Sequence, residues 1–96
     1  MAYDPGAMEA ALAAAVGDDA TLIAELRVAF LDSAARCQAA LTTTATEDEW
    51  RTVALRLKGL AASFGAERLM ALASEAAAKP HDMRVAARIA TALARF

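Results

Sequence analysis

Ninety-six residues and 10.0 kDa make one domain, and a single core at this length buries roughly 60–65% of the surface that the unfolded chain exposes. Hydrophobic residues are 58% and charged residues 23%, which excludes a disordered chain. The formal charge of −2 offers no basic field for nucleic acid, and one cysteine excludes an internal disulfide. Alanine fills 29 positions against 4 glycines and 2 prolines. Alanine is the best helix former and is depleted from strands, so an all-α chain is expected.

The start of the chain predicts neither an export signal nor a membrane span. Up to Ala20 its charges are Asp4, Glu9, Asp18 and Asp19, with no basic region before the alanine-rich run. The uncharged stretch Ala10 to Gly17 is far short of the ~20 residues that cross a bilayer. The expected setting is the cytoplasm.

The punctuation predicts a short leading helix and four longer ones. Asp4-Pro5 opens the first, since a capping carboxylate precedes a residue whose missing N–H costs nothing in the first turn. Met8, Leu12 and Val16 recur at helical spacing, and Gly17 closes the segment. Asp18 or Asp19 caps the second helix, whose stripe is Ile23, Leu26, Phe30, Ser33, Cys37 and Leu41. A turn is expected around Thr43 to Thr46. Thr46 and Glu49 then form a capping-box pattern before the third stripe: Trp50, Val53, Leu57, Leu60 or Ala61, and Phe64. Gly65 stops that helix. The fourth starts at Ala66 or Glu67, turns Leu69, Leu72, Ala73 and Ala76 inward, and ends by Lys79-Pro80. Asp82 caps the fifth, with Val85 or Ala86, Ile89, Leu93 and Phe96 on its stripe. Short linkers predict an antiparallel up-down four-helix bundle with a short extra N-terminal helix, all within one domain spanning 1–96.

Chemistry-bearing motifs are few. Cys37 and His81 are single residues, so no metal set is expected, and no glycine-rich phosphate loop is present. Acidic groups such as Asp18/Asp19 and Glu47/Asp48/Glu49 fall at helix starts, where the macrodipole accounts for them. Cys37 reads as a small buried hydrophobe, Trp50 as a seal at the bundle end, and His81 as a turn or capping group. No nucleophile–base pair can be assembled, so neither an enzyme nor a cofactor is expected.

One face of the third helix breaks the pattern. At about 100° per residue, Leu55 lies about 160° from Leu57, nearly opposite the core stripe. Arg51, Lys58, Gly59 and Ala62 share its face, with Asp48 one turn earlier. Glycine inside a helix costs roughly 0.5–1 kcal/mol relative to alanine, so Gly59 wants a reason. Close approach by a partner is one. The other is a neighbouring helix packed over Gly59, with Leu55 an ordinary surface leucine.

The run Ala54-Leu55-Arg56-Leu57-Lys58-Gly59, continuing through Leu60-Ala61-Ala62-Ser63-Phe64-Gly65-Ala66, resembles the signature of histidine-containing phosphotransfer (HPt) domains. There a helix carries Ala-His-x-Leu-Lys-Gly-Ser, with a second glycine ten residues after the histidine. Lys58, Gly59 and Gly65 take the matching positions, and Gly17-Asp18-Asp19 leading to Leu22-Ile23, Leu26 and Phe30-Leu31 is similar to the family's second helix. Leu55 stands where the phospho-accepting histidine would be, and Leu60 where the serine would be. Leucine has no lone pair to attack a phosphoryl group, so transfer at this position is chemically excluded.

The resemblance implies a non-catalytic module of two-component signalling. It would dock a response-regulator receiver domain or a histidine kinase through Arg51, Leu55, Lys58, Gly59 and Ala62, as a monomer or weak dimer. The basic group Arg51, Arg56, Lys58 and Arg68 is then either a plain solvated surface or the complement of the acidic pocket on a receiver domain. Two alternatives stay open: a phosphorelay protein whose histidine has been replaced by Leu55, and a helical adaptor or oligomerisation domain outside any phosphorelay.

Overall fold

Helix-forming composition and well-placed stops give five helices in the computed structural model: α1 (Pro5–Val16), α2 (Ala20–Leu41), α3 (Glu47–Ser63), α4 (Glu67–Ala78) and α5 (Met83–Ala94). The structure describes residues 5–17 and 19–96, with side chains from residue 10 onward. Among the described residues there is no strand, and the fold is all-α. The predicted cap Asp4, the alternative cap Asp18 and the side chain of Met8 lie outside what is described.

Local chemistry sets several of these boundaries, although α4 begins after Ala66 with no side-chain cap. Asp19 accepts from the Leu22 N–H at 3.0 Å and begins α2. Thr46 and Glu49 form the reciprocal capping box at the start of α3: the Thr46 hydroxyl accepts from the Glu49 N–H at 3.1 Å, and Glu49 accepts from the Thr46 N–H at 2.9 Å. These bonds, the backbone N–H of Thr46 foremost, hold the Glu49 carboxyl below its usual range. The α3 C-terminus closes with Gly65 at φ 68. Its N–H donates to Ala62, and the Ala66 N–H donates to Ala61 at 2.9 Å, the paired pattern of a glycine-terminated helix. Asp82 caps α5 through the Arg84 N–H at 3.0 Å.

The predicted stripes become the core with three corrections: Ala34 replaces Ser33 on α2, Ala54 is buried ahead of Val53 on α3, and Ala92 ahead of Leu93 on α5. On α2 the buried residues are Phe30, Ala34, Cys37 and Leu41, while Ser33 is exposed. Extending the alternating spacing placed the serine inward, but Ala34 takes that position and leaves the hydroxyl in water. Trp50, Ala54, Leu57 and Ala61 are buried on α3; Leu69, Leu72, Ala73 and Ala76 on α4; and Val85, Ala86, Ile89 and Ala92 on α5. Val53, Leu60, Phe64, Leu93 and Phe96 pack partly buried at the margin.

Helix α2 packs against α3 and α5, α4 packs against the same two, and α1 rests on α2. The most extensive contact is between α3 and α4, whose buried alanines 54, 61, 73 and 76 allow close approach of the axes. Aromatic rings mark two regions of this core. Phe30 meets Phe64 at 5.0 Å and Phe96 at 5.4 Å between ring centroids. Elsewhere Trp50, fully buried, donates from Nε1 to the Ala76 carbonyl at 2.7 Å.

A polar clamp joins α4 to α5. Arg88 makes two bonds of 2.9 Å to the Glu75 carboxylate, and Lys79 adds a third at 3.1 Å. The hydrogen bond from Arg88, then that from Lys79, lowers the Glu75 pKa from 4.5 to about 2. Because folding lowers this pKa, the clamp contributes fully above about pH 4.5 and is lost as pH falls toward 2.

Two predictions follow from this packing. In urea denaturation at neutral pH, Trp50→Phe should lose about 1–3 kcal/mol, from the missing donor and the smaller ring; a loss under about 0.5 kcal/mol would contradict the seal. The stability difference between wild type and Glu75→Gln, followed by urea titrations between pH 6 and 2, should close across the window from 4.5 to about 2. A difference that stayed constant there would show that the clamp is energetically idle.

Candidate functional site

The inward turn of Trp50, Ala54, Leu57 and Ala61 fixes what α3 presents on its other side. Leu55 is 49% exposed. Arg51, Lys58, Gly59 and Ala62 are exposed as well, so all five residues predicted to share a face do share one. A Cβ built on Gly59 meets nothing within 4 Å. Among the described residues no helix packs over this glycine, so packing inside the fold does not account for it. What remains is open space above Gly59 beside a half-exposed leucine.

The charges around Leu55 are not equivalent. Arg51 is paired with Asp48 at 3.3 Å, one turn back on the same helix. Lys58 and Arg56 have no carboxylate partner among the described residues. Arg68 sits partly buried on α4 and belongs to a different element. The basic group read from the sequence thus divides into one tethered cation, two free ones and one on another helix.

Arg56 lies about 100° around α3 from Leu55 and borders a groove between α2 and α3. Ser33, Arg36, Cys37, Ala40 and Leu60 complete its lining, around a volume of about 520 Å³. Cys37 is buried there; burial pushes its thiol pKa up, and the Arg56 charge partly offsets that rise. Sequence reasoning missed this groove. Its signal was available in the small residues Ser33, Cys37 and Ala40, spaced by four and three along α2, which leave a channel where larger side chains would interlock.

His81 is placed away from the Leu55 face. Its ring centroid lies 5.2 Å from that of Trp50, which is about 140° from Leu55 around α3. Nε2 lies 3.2 Å from both the hydroxyl and the carbonyl oxygen of Thr44. The Thr44 hydroxyl already gives its proton to the Leu41 carbonyl at 3.0 Å. Both oxygens are therefore acceptors toward the ring, which assigns a proton to Nε2. His81 also adopts φ 59, a region costly for residues other than glycine. The ring ties the turn before α5 to the turn after α2.

Among the described residues no group of three or more His, Cys, Asp or Glu side chains is arranged to hold a metal, and no helix is long and apolar enough to cross a membrane. What α3 presents on this side is an exposed leucine, an uncovered glycine and, among the described residues, a lysine with no carboxylate partner. No protein-family model, no curated protein and no solved structure matches this chain.

The open space at Gly59 carries its own test. Gly59→Ala should stabilise the protein by about 0.5–1 kcal/mol in chemical denaturation, because the methyl group meets nothing and the helix gains. A loss of stability would mean that something in the fold needs that space.

Proposed function

We propose that this chain is an HPt-like module that binds without transferring phosphate, docking a response-regulator receiver domain or a histidine kinase of a two-component system. The observation that carries the reading is the open apolar centre of α3: Leu55 half exposed among Arg51, Lys58, Gly59 and Ala62, with nothing over Gly59. Exchanging an imidazole for leucine trades chemistry for contact. The side chain cannot accept a phosphoryl group, but it loses water-exposed area when a partner covers it. Lys58, which has no carboxylate partner among the described residues, complements an acidic pocket. Stoichiometric capture or competition follows, with no catalysis and no cofactor.

In this proposal α2 to α5 form the antiparallel up-down bundle, with α1 as the added N-terminal helix. Three contacts support that order. Trp50 near the start of α3 meets Ala76 near the end of α4; Thr44 after α2 meets His81 before α5; and Phe30 gathers Phe64 and Phe96, which follow the ends of α3 and α5. The proposed setting is the cytoplasm, with the module a monomer or weak dimer.

Titration against the receiver domains and kinases encoded alongside it tests the reading. Saturable binding is expected, weakened by about 1–3 kcal/mol in Leu55→Ala and abolished in Leu55→Asp. Unchanged affinity in both variants would exclude this face. Micromolar self-association that buries Leu55, with no affinity for any receiver or kinase, would assign an oligomerisation domain instead. Phosphoryl transfer to Leu55→His would favour a phosphorelay protein that has lost its acceptor.

A further inference from the structure

The groove between α2 and α3 is a second feature, separate from the Leu55 face. Its floor is apolar and small-featured, with Cys37 buried and Ala40 and Leu60 partly buried. A volume of about 520 Å³ falls within the range of small-molecule sites, roughly 300–1,000 Å³. Two guanidinium groups border it. Arg36 is already held by Asp32 at 2.9 Å on its own helix, whereas Arg56 has no carboxylate among the described residues. No acidic side chain lines the groove. An unpaired cation beside an apolar channel calls for a ligand with an anionic head and an apolar body.

We propose that this groove binds a small amphipathic carboxylate, its head group on Arg56 and its chain along Cys37, Ala40 and Leu60. The guanidinium supplies a paired, charge-assisted bond to the carboxylate, and the floor supplies the area removed from water. Ser33 offers a hydroxyl at the rim. The groove is partly open to solvent, and its volume of about 520 Å³ matches a small ligand rather than a protein segment. Occupation requires no change at Leu55, so the site stands or falls apart from the docking reading.

Decanoate is a suitable probe, with decanol as its uncharged counterpart of equal length. Titration of the intact protein should give saturable amide shifts concentrated in residues 33–40 and 56–60. Modification of Cys37 by an aromatic disulfide reagent should slow in step with occupancy. Arg56→Gln, an exposed position, should weaken decanoate about tenfold while leaving helicity unchanged. Ala40→Leu should block binding by filling the channel. Absence of saturable shifts up to the solubility limit would overturn the proposal, as would equal affinity for decanoate and decanol or undiminished affinity in Arg56→Gln. An acidic peptide that binds through Arg56 where decanoate does not would reassign the groove to protein docking.

Discussion

The hydrogen bond from the Trp50 indole to the Ala76 carbonyl sets the rotation of α3, and most of what this protein presents depends on that rotation. A fully buried indole N–H must find an acceptor, and the carbonyl near the end of α4 is the one supplied. With Trp50 held inward, Ala54, Leu57 and Ala61 follow it into the core at three-and-four spacing. The opposite side is then determined by geometry alone. Leu55 has no inward alternative, because turning it toward the core would expose Trp50.

Close packing of the helices goes with the many buried alanines. Among the described residues, eight of the eighteen buried hydrophobic residues are alanines, too small to fill the space between widely spaced helices. Close axes are the packing solution for such residues, and large side chains are then needed only at a few places. Phe30, Phe64 and Phe96 serve one region, and Trp50 with the His81 ring serves another. His81 accepts an unfavourable backbone angle to reach its position. The two bonds from Nε2 to Thr44 and the contact with Trp50 offset that strain locally.

Much of the fold was legible in the sequence because its determinants are local. Thr46 with Glu49, Asp82, Gly17 and Gly65 act over one helical turn, so their roles need no knowledge of distant partners. The stripes on α4 and α5 were equally readable. Ser33 was not, since spacing alone cannot choose between adjacent positions when one neighbour is the small, equally compatible Ala34. The composition of the Leu55 face was readable from helical period, but its openness was not. Whether Gly59 lies under a neighbouring helix is a question about tertiary placement. The α2–α3 groove was hidden for the same reason, being made by what two separated segments fail to fill.

The physical case for docking at Leu55 rests on preorganisation as much as on hydrophobicity. A leucine on a loop would have to be ordered on binding, at a cost set against its buried area. Leu55 instead lies near the middle of a helix capped at both ends and anchored by Trp50, so little backbone freedom remains to be lost. Its half-exposed side chain has area left to bury, and the open space at Gly59 would let a partner approach the helix closely beside it. A histidine in the same place would need that approach for phosphoryl transfer; a leucine needs it only for contact. Under the proposed reading, the scaffold that would position a reactive ring works equally well to position an inert one.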